Sequence, residues 1–475
     1  MFTIDFSQRK NQGLCDFLYS SVKEQILQGK LSANEKLPSK RTLANHLGVS
    51  IITVQNAYAQ LICEGYIYSI EKKGFFVTDI LFGVNQVEDV GKEFVLENET
   101  SKTTEWFADF KSNSTGYEKF PFSTWAHIMR KVVNAADEKL LQRLDVKGVF
   151  ALRKSIADYL FQFRNMKVNP NQIVISSGTE TLYGMVVQLL GRENIFAVEN
   201  PGYKKISWIL KLNGAKCISV KMDDMGLNPF DLEKTDANII HISPSHHFPT
   251  GIVMPIRRRV ELLDWAKKNE NRFIIEDDYD SEFRFNGKPL PTLQSSDTND
   301  CVIYINTFSK TLSPSFRISY MILPNKLLNL FSHRFGEFSC SVSSFEQYVL
   351  AEFMKQGFYS KHIIRMKNYY KNLRNDLIQC IQKSKIAKIA IIQEEESGLH
   401  FLLKISTEYS KEDLKKRLEN QKINAMLLSD YYLDDFETNL EFDEKKQHTI
   451  VINYSGLKKE RITETVIRLE NAFFV

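Results

Sequence analysis

Four short apolar runs, each ending in a polar loop, constrain what the larger part of this chain can fold into. They read QIVISSGTE, NIIHISPSHHFPTG, RFIIEDDYDSEF and VIYINTFSK, and amphipathic stretches of helix length separate them. A strand that is apolar along its whole length is buried on both faces, as in a mostly parallel sheet covered by helices. The sequence therefore predicts an α/β fold from about residue 105 to residue 475.

The polar ends of these runs are expected to lie together, because the ligand crevice of such a sheet lies outside the carboxyl ends of its strands. Gly178 and Thr179 precede a helix, so their backbone N–H groups are suited to binding a phosphate. Arg317 could bind the same phosphate in a bidentate manner, and Thr307 and Ser309 add hydroxyl groups. The pattern predicts an anion site at this edge of the sheet.

Asp277 and Lys310 follow two of these apolar runs and add different chemistry. A buried carboxylate requires a cationic partner, and a lysine amine can form an imine with an aldehyde. Pyridoxal 5′-phosphate carries an aldehyde, a phosphate and a ring nitrogen that an acidic group can keep protonated. Each residue alone is more often solvated or a cap, so the prediction of a pyridoxal 5′-phosphate site depends on their occurring together in order.

The first eighty residues follow a helical pattern instead. Apolar residues recur every four positions in a first helix, at Leu14, Leu18, Val22 and Ile26. Ser39 is placed to cap a second helix that Gly48 ends, and Ser50 is placed to cap a third. Two short helices joined in this way are typical of a helix-turn-helix, whose second helix enters the major groove of DNA.

A hairpin with the sequence YIYSIEKKGFFV follows the third helix. Its tip holds Lys72, Lys73 and Gly74, and a basic tip that contains glycine can approach DNA phosphates closely. The hairpin would then be the wing of a winged helix. The alternative is a small helical cap with an incidental hairpin, because three-helix units are common.

This N-terminal segment resembles the winged helix of GntR-type regulators. The resemblance is carried by LPSKRTLANHLGVSIITVQNAYAQLICEGY at residues 37–66. It implies that four polar residues face double-stranded DNA, namely Ser39, Arg41, Ser50 and Thr53. Most of these regulators have an arginine where this chain has Ile51, so a phosphate or guanine contact is lost and affinity or sequence preference should differ.

The remainder of the chain is similar to the fold-type I aminotransferase domain, and more narrowly to the MocR/GabR branch of GntR regulators, which fuse a winged helix to that domain. The matching strings are SSGTE, FPTG, DDYDSEF and NTFSKTLSPSFRISYMILP. The resemblance implies that Lys310 is the Schiff-base lysine, that Asp277 partners the pyridine nitrogen and that Tyr279 faces the ring oxygen. It assigns the phosphate to Gly178, Thr179, Ser309 and Arg317, places Tyr203 over or beside the ring, and implies a homodimer.

The residues expected to bind an effector depart from that branch. The member that senses γ-aminobutyrate uses two basic residues, and the corresponding positions here are Lys205 and, by alignment through LLSDYYLDDF, Asp430. An aspartate repels a carboxylate and could instead meet an amine, and Glu180 and His247 also stand where glutamine is commoner. These departures do not favour γ-aminobutyrate. The expected effector is another amino compound or pyridoxal 5′-phosphate itself.

Three functions are compatible with this set of residues. The leading prediction is a pyridoxal 5′-phosphate-dependent transcription regulator that binds promoter DNA and senses its effector through Lys310. The second is a working aminotransferase with an accessory N-terminal domain. The third, a scaffold that has lost the cofactor, is disfavoured because Asp277, Lys310 and Arg317 are all present.

Length, charge and cysteine spacing limit the possible domain organisation, binding partners and location of the protein. A length of 475 residues predicts two or three domains, and we expect a DNA-binding domain over 1–80, an acidic flexible linker over 81–104 and the effector domain over 105–475. The net charge of +4 excludes a polybasic binder. The six scattered cysteines show no metal-ligand spacing, and no signal or membrane segment is evident, so we expect a cytoplasmic protein without a metal.

Overall fold

A computed structural model of the 475-residue chain describes residues 12–79, 105–111, 119–135, 137–287, 290–394, 398–433 and 447–474, together with residues 4, 9 and 396. The chain divides into two compact units, one N-terminal to residue 104 and one from residue 104 onward. The acidic linker predicted over residues 81–104 lies outside the described residues.

The N-terminal unit combines three short helices with a small antiparallel sheet in its described part. The elements are α1 (Leu14–Leu27), β1 (Lys36–Leu37), α2 (Lys40–Leu47), α3 (Ile51–Cys63), β2 (Ile67–Ile70) and β3 (Gly74–Val77). The strands pair in the order β1-β3-β2, and β2 and β3 form the predicted hairpin. Three of the four residues that the spacing predicted for the buried face of α1 lie in the core of the unit, namely Leu18, Val22 and Ile26, whereas Leu14 at the start of the helix is exposed.

The predicted helix caps are confirmed. The Ser39 side chain accepts a hydrogen bond from the Thr42 N–H at 3.1 Å, and Ser50 accepts one from the Thr53 N–H at 3.0 Å. Gly48 ends α2 with a φ of 66°, in the left-handed region that favours glycine. These capping residues end α2 at Leu47 and begin α3 at Ile51, so three residues separate the two helices of the helix-turn-helix.

The larger unit begins with β4 (Ala108–Asp109) and continues in alternating strands and helices. Its first half contains α4 (Phe122–Asn134), α5 (Phe150–Arg164), β5 (Ile173–Ser176), α6 (Thr179–Leu190), β6 (Ile195–Asn200), α7 (Lys204–Leu212), β7 (Lys216–Asp223), β8 (Gly226–Leu227), α8 (Pro229–Glu233), β9 (Ile239–Ile242), α9 (Ile256–Lys267) and β10 (Phe273–Asp277). Its second half contains α10 (Leu293–Ser296), β11 (Val302–Thr307), β12 (Ser319–Ile322), α11 (Asn325–Phe335), α12 (Ser344–Lys355), α13 (Phe358–Lys383), β13 (Ala390–Gln393), β14 (His400–Ser406), α14 (Lys411–Asn420), β15 (Ile423–Asn424), β16 (Met426–Leu427), β17 (Gln447–Asn453) and α15 (Ile462–Phe474).

An eight-stranded sheet with the order β5-β12-β11-β10-β9-β6-β7-β8 forms the centre of this unit. Strands β11, β10, β9, β6 and β7 are mutually parallel, whereas β12 runs antiparallel between β11 and β5. Every residue of β11 is buried, with Tyr304 in one hydrophobic cluster and Ile303 and Ile305 in another. Burial on both faces explains the uninterrupted apolar run and confirms the predicted, mostly parallel sheet.

A second core joins the C-terminal helices to a smaller antiparallel sheet of order β13-β14-β17-β16. Strand β15 pairs with β4, so the start of the unit is hydrogen-bonded to its C-terminal part. In the part of the chain that the structure describes, no helix is both long enough and apolar enough to cross a lipid bilayer.

Candidate functional sites

A cavity of about 240 Å³ lies at the carboxyl ends of β6, β9, β10 and β11. This is the edge where the sequence predicted a ligand crevice, because parallel strands present their carboxyl ends together. The predicted site residues that line it are Thr179, Tyr203, Lys205, Asp277, Tyr279, Thr307, Ser309, Lys310 and Arg317. Residues from four separate segments of the chain therefore share one cavity.

Of the two carboxylate oxygens of Asp277, the last residue of β10, one is hydrogen-bonded and the other is not, among the described residues. Its Oδ2 accepts a hydrogen bond from the Tyr183 hydroxyl at 2.9 Å, and the same hydroxyl lies 2.8 Å from His241 Nε2. Its Oδ1 is buried and has no hydrogen-bond partner among the described residues. A buried carboxylate oxygen without a partner is costly, so this atom marks a place for a hydrogen-bond donor from a ligand.

Lys310 lies three residues beyond the end of β11, with its Nζ 6.0 Å from the centroid of the Tyr279 ring. Burial lowers the pKa of the Lys310 ammonium to about 8, although Asp280 and Asp277 act in the opposite direction. A lysine with a pKa near neutrality has a usable fraction of neutral amine, which is the nucleophilic form.

Arg317 and the N-terminus of α6 form the end of the cavity that is suited to binding an anion. Arg317 has a φ of 47°, which is uncommon for a residue with a side chain. Gly178, which precedes α6, has a φ of 98°, and a Cβ atom at this position would overlap the Arg317 guanidinium. The backbone conformation at position 178 favours glycine, and the lack of a side chain there leaves room for the guanidinium to lie against the helix start.

Glu180 in the first turn of α6 connects two cations of the cavity. It forms an ion pair with Lys205, and its Oε2 lies 3.6 Å from Arg317 Nη2. The hydrogen bond from Lys205 is the main reason that the pKa of Glu180 is lowered. Lys205, predicted to bind an effector, is therefore already paired with a carboxylate of its own chain.

Buried histidines and a glutamate form another wall of the cavity. His247 Nε2 lies 3.4 Å from Glu199 Oε2, and the same oxygen accepts the Ser243 N–H at 3.0 Å. Burial raises the pKa of Glu199 to about 8 and lowers that of His247 to about 3. Both groups are thus disfavoured in their charged forms. Sequence reasoning missed Glu199 because no local signal links it to a histidine 48 positions later.

Asp430 is the one predicted effector residue that the structure does not bring to the cavity wall. Its carboxylate lies 2.6 Å from Lys415 Nζ and 3.2 Å from Lys411 Nζ, and it accepts the Leu427 N–H at 2.9 Å. With these three partners the carboxylate is satisfied locally. The neighbouring residues 434–446, which include part of the string used for the alignment, lie outside the described residues.

In the N-terminal unit, the predicted DNA-contacting residues lie around the step between α2 and α3. Ser39 and Arg41 are exposed at the start of α2, and Ser50 and Thr53 lie at the start of α3 with their hydroxyl oxygens 2.8 Å apart. Lys72, Lys73 and Gly74 occupy the turn into β3, with Lys72 at a φ of 60°. Both lysines are exposed, as a contact to phosphates requires.

Comparison with protein families identifies a matching family for each of the two units. Residues 14–77 match the bacterial regulatory proteins of the gntR family, and residues 109–464 match aminotransferase class I and II. YdeL, an HTH-type transcriptional regulator of Bacillus subtilis, is 34% identical over 96% of both chains. The probable rhizopine catabolism regulatory protein MocR of Rhizobium meliloti is 29% identical over 96% of this chain and 93% of its own length.

Two further comparisons bear on the larger unit. The pyridoxine biosynthesis regulator PdxR of Corynebacterium glutamicum is 29% identical over 75% of this chain and 76% of its own. An archaeal alanine:glyoxylate aminotransferase superposes with a TM-score of 0.68 at 21% identity, covering 78% of this chain and 92% of the other. The structural likeness shows that the unit has the aminotransferase fold.

Pyridoxal 5′-phosphate is the cofactor of this domain type, and the cavity fits it. The unpartnered Asp277 Oδ1 can receive a protonated ring nitrogen, and Lys310 supplies an amine. The Arg317 guanidinium lies close to Gly178 at the start of α6, so a cation and the helix N-terminus can both face a phosphate.

Both halves of the chain thus have their relatives in one group of proteins, and the relatives cover nearly the full length. The chain belongs to the HTH-type transcriptional regulators in which a gntR-family DNA-binding domain is joined to an aminotransferase class I and II domain.

Proposed function

We propose that this protein acts in the cytoplasm as a homodimeric regulator that binds double-stranded promoter DNA and senses an amino compound, or pyridoxal 5′-phosphate itself, through Lys310. The observation that carries the proposal is a cavity holding Lys310, Asp277 and Arg317 together in a chain that also has an exposed helix-turn-helix. The domain boundaries that we propose are residues 1–80, 81–104 and 105–475, and both family matches fall within the outer two.

The cavity residues have distinct proposed roles toward the cofactor. Lys310 provides the amine for covalent attachment, Asp277 holds the ring nitrogen protonated, and Tyr279 faces the ring oxygen. Tyr203 lies beside the ring. The phosphate is bound by Gly178, Thr179, Thr307, Ser309 and Arg317. When bound, the cofactor supplies an electrophilic carbon that can exchange the lysine for another amine.

Effector exchange at Lys310 gives a physical means of signalling, because a ligand that prefers one conformation shifts the population toward it. The relative named as a pyridoxine biosynthesis regulator is consistent with the cofactor or a related compound as effector. A homodimer would place two winged helices on two half-sites. Titrating the cofactor-loaded protein with amines, while its affinity for DNA is recorded, tests the proposal. An effect on the absorption spectrum without any effect on DNA binding would contradict it.

The alternative function, a working aminotransferase, is supported by the fold and by Lys310. It requires recognition of two carboxylate substrates, whereas Lys205 is already paired with Glu180. Steady product formation with a 2-oxo acid acceptor, at rates typical of enzymes, would favour the alternative.

DNA binding should depend on Arg41. We expect Arg41→Ala to weaken binding about tenfold, because one guanidinium is lost from the exposed start of α2. The slope of log affinity against log salt concentration should become shallower by about one, the value for one lost phosphate contact. Fluorescence anisotropy with a duplex selected from a random pool measures both quantities. Lys216→Ala, which removes an exposed cation from the other unit, is the charge-matched control. Equal losses for both variants would show that only net charge matters.

Capture of the cofactor should become faster as the pH rises toward about 8 and then level off, because burial lowers the pKa of Lys310 to about 8. At pH 7 about one-tenth of the amine is neutral, against about one in three thousand for an unperturbed lysine. Stopped-flow absorbance after mixing cofactor-free protein with pyridoxal 5′-phosphate gives the rate. N-acetyl-lysine is the reference amine. A rate that follows the reference amine up to pH 10 would refute the lowered pKa.

Glu180→Gln should tighten cofactor binding by about fourfold, the effect of one unit charge at about 5 Å in a solvated site. Glu180 is about half exposed, so a larger effect is not expected. Lys205→Met should weaken binding when Glu180 is present, because the carboxylate beside Arg317 then loses the cation that partly neutralises it. It should have a smaller effect beside Gln at position 180. Equilibrium absorbance titration of the four proteins measures this coupling. Additive effects would show that Lys205 does not neutralise Glu180.

A further inference from the structure

Two large apolar side chains are exposed at the start of the second helix of the helix-turn-helix. Ile51 and Ile52 are the first two residues of α3, and they are 43% and 69% exposed. The side of α3 that packs in the core is formed by other residues, namely Val54, Ala57, Tyr58 and Leu61. The two isoleucines therefore contribute little to the packing of their own unit.

The position of these side chains matters, because the N-terminal residues of the second helix contact base edges in the major groove. The hydroxyl groups in this turn are not free to form hydrogen bonds with base edges. The Ser50 hydroxyl accepts the Thr53 N–H at 3.0 Å and lies 2.8 Å from the Thr53 hydroxyl, so both are engaged in the cap. No residue of α3 is charged. The first turn thus presents mainly methyl and methylene groups.

The major groove offers one strongly apolar feature, the C5-methyl group of thymine. Guanine, cytosine and adenine carry no methyl group at that edge, and isoleucine cannot form hydrogen bonds with their donors and acceptors. We infer that Ile51 and Ile52 read thymine methyl groups in each half-site of the operator. The inference rests on the proposed DNA-binding function and specifies one base feature that the start of the recognition helix selects.

Deoxyuridine gives a direct test, because it keeps the hydrogen-bonding edge of thymine and lacks only the methyl group. A duplex selected by the wild-type protein from a random pool would be remade with each thymine replaced in turn by deoxyuridine. At one or two positions of each half-site, we expect affinity to fall by about fourfold per methyl group removed. At the remaining positions no change is expected.

Protein variants identify the side chains responsible. Ile51→Ala and Ile52→Ala should lose affinity for the thymine duplex and should no longer distinguish it from the deoxyuridine duplex at the affected positions. Ile62→Ala is the matched control, because Ile62 is 38% exposed at the other end of α3 and should keep the full sensitivity. Circular dichroism and thermal unfolding of each variant confirm that the unit remains folded.

The possible outcomes separate the inference from the proposed function. Tight, salt-sensitive binding with no deoxyuridine effect at any position would overturn the thymine inference and leave DNA binding intact. The isoleucines would then be free to serve a protein partner. Failure to select any duplex would overturn the proposed function itself. A deoxyuridine effect that persists unchanged in both alanine variants would assign the methyl contact to other residues and would also overturn the inference.

Discussion

Lys310→Ala is expected to abolish covalent retention of pyridoxal 5′-phosphate. The neutral amine of Lys310 is the nucleophile that we propose for the aldehyde, and alanine has no group that can replace it. After reduction with borohydride, intact-protein mass spectrometry should show the cofactor mass on the wild-type chain and none on the variant. The visible absorption band that accompanies attachment should be lost together with the added mass.

Two matched variants make this result specific. Lys205 also lines the cavity, but it is paired with Glu180, so Lys205→Ala should retain the borohydride-stable label. Lys310→Arg keeps the positive charge without a usable nucleophile and should lose the label as Lys310→Ala does. If the Lys310→Ala protein still carried the reduced cofactor at another lysine, the assignment of Lys310 would be wrong.

Arg164→Met is expected to destabilise the larger unit by about 3–5 kcal/mol, because breaking a buried ion pair leaves one charge without a partner. Arg164 Nη2 lies 3.0 Å from Asp278 Oδ2, and the two side chains are 2% and 0% exposed. Arg164 also donates to the Ser245 hydroxyl at 3.1 Å, and Asp278 accepts the Tyr304 hydroxyl at 2.7 Å. The pair connects the end of α5 to the residue that follows Asp277.

Urea unfolding followed by tryptophan fluorescence measures this loss, since all four tryptophans belong to the larger unit. The double variant Arg164→Met with Asp278→Asn removes both charges and should recover a substantial part of the lost free energy of unfolding. A single variant as stable as the wild type would show that Asp278 finds another cation. A double variant no better than the single one would assign the loss to packing of the arginine side chain.

Local sequence was sufficient for much of the architecture. The caps at Ser39 and Ser50 and the glycine at position 48 depend on neighbours within a few residues, so their signals could be recognised directly. The apolar runs predicted the sheet in the same way, because burial on both faces imposes a pattern along each strand. The placement of Asp277 and Lys310 at one edge followed from the rule that parallel strands share their carboxyl ends.

The partners of the site residues depended on contacts between distant segments. Tyr183 from α6 donates a hydrogen bond to Asp277 and also contacts His241 from β9, although about 90 residues separate Tyr183 from Asp277 and about 60 separate it from His241. Contacts between such distant segments leave no periodic pattern in the sequence. The placement of Asp430 beside Lys411 and Lys415 likewise arises from the packing of α14 against its neighbours, and alignment placed it instead with the effector residues.

The two-part construction of the chain, its central sheet and the identities of the chemical groups at the sheet edge could all be predicted from the sequence. These follow from local spacing and from burial, which act residue by residue. The electrostatic state of those groups depends on the folded structure. Lys205 is paired with Glu180, one oxygen of Asp277 has no hydrogen-bond partner among the described residues, and the pKa of Lys310 is lowered. Charge pairing and desolvation depend on distances of a few ångströms between segments far apart in the chain, and those distances exist only after folding.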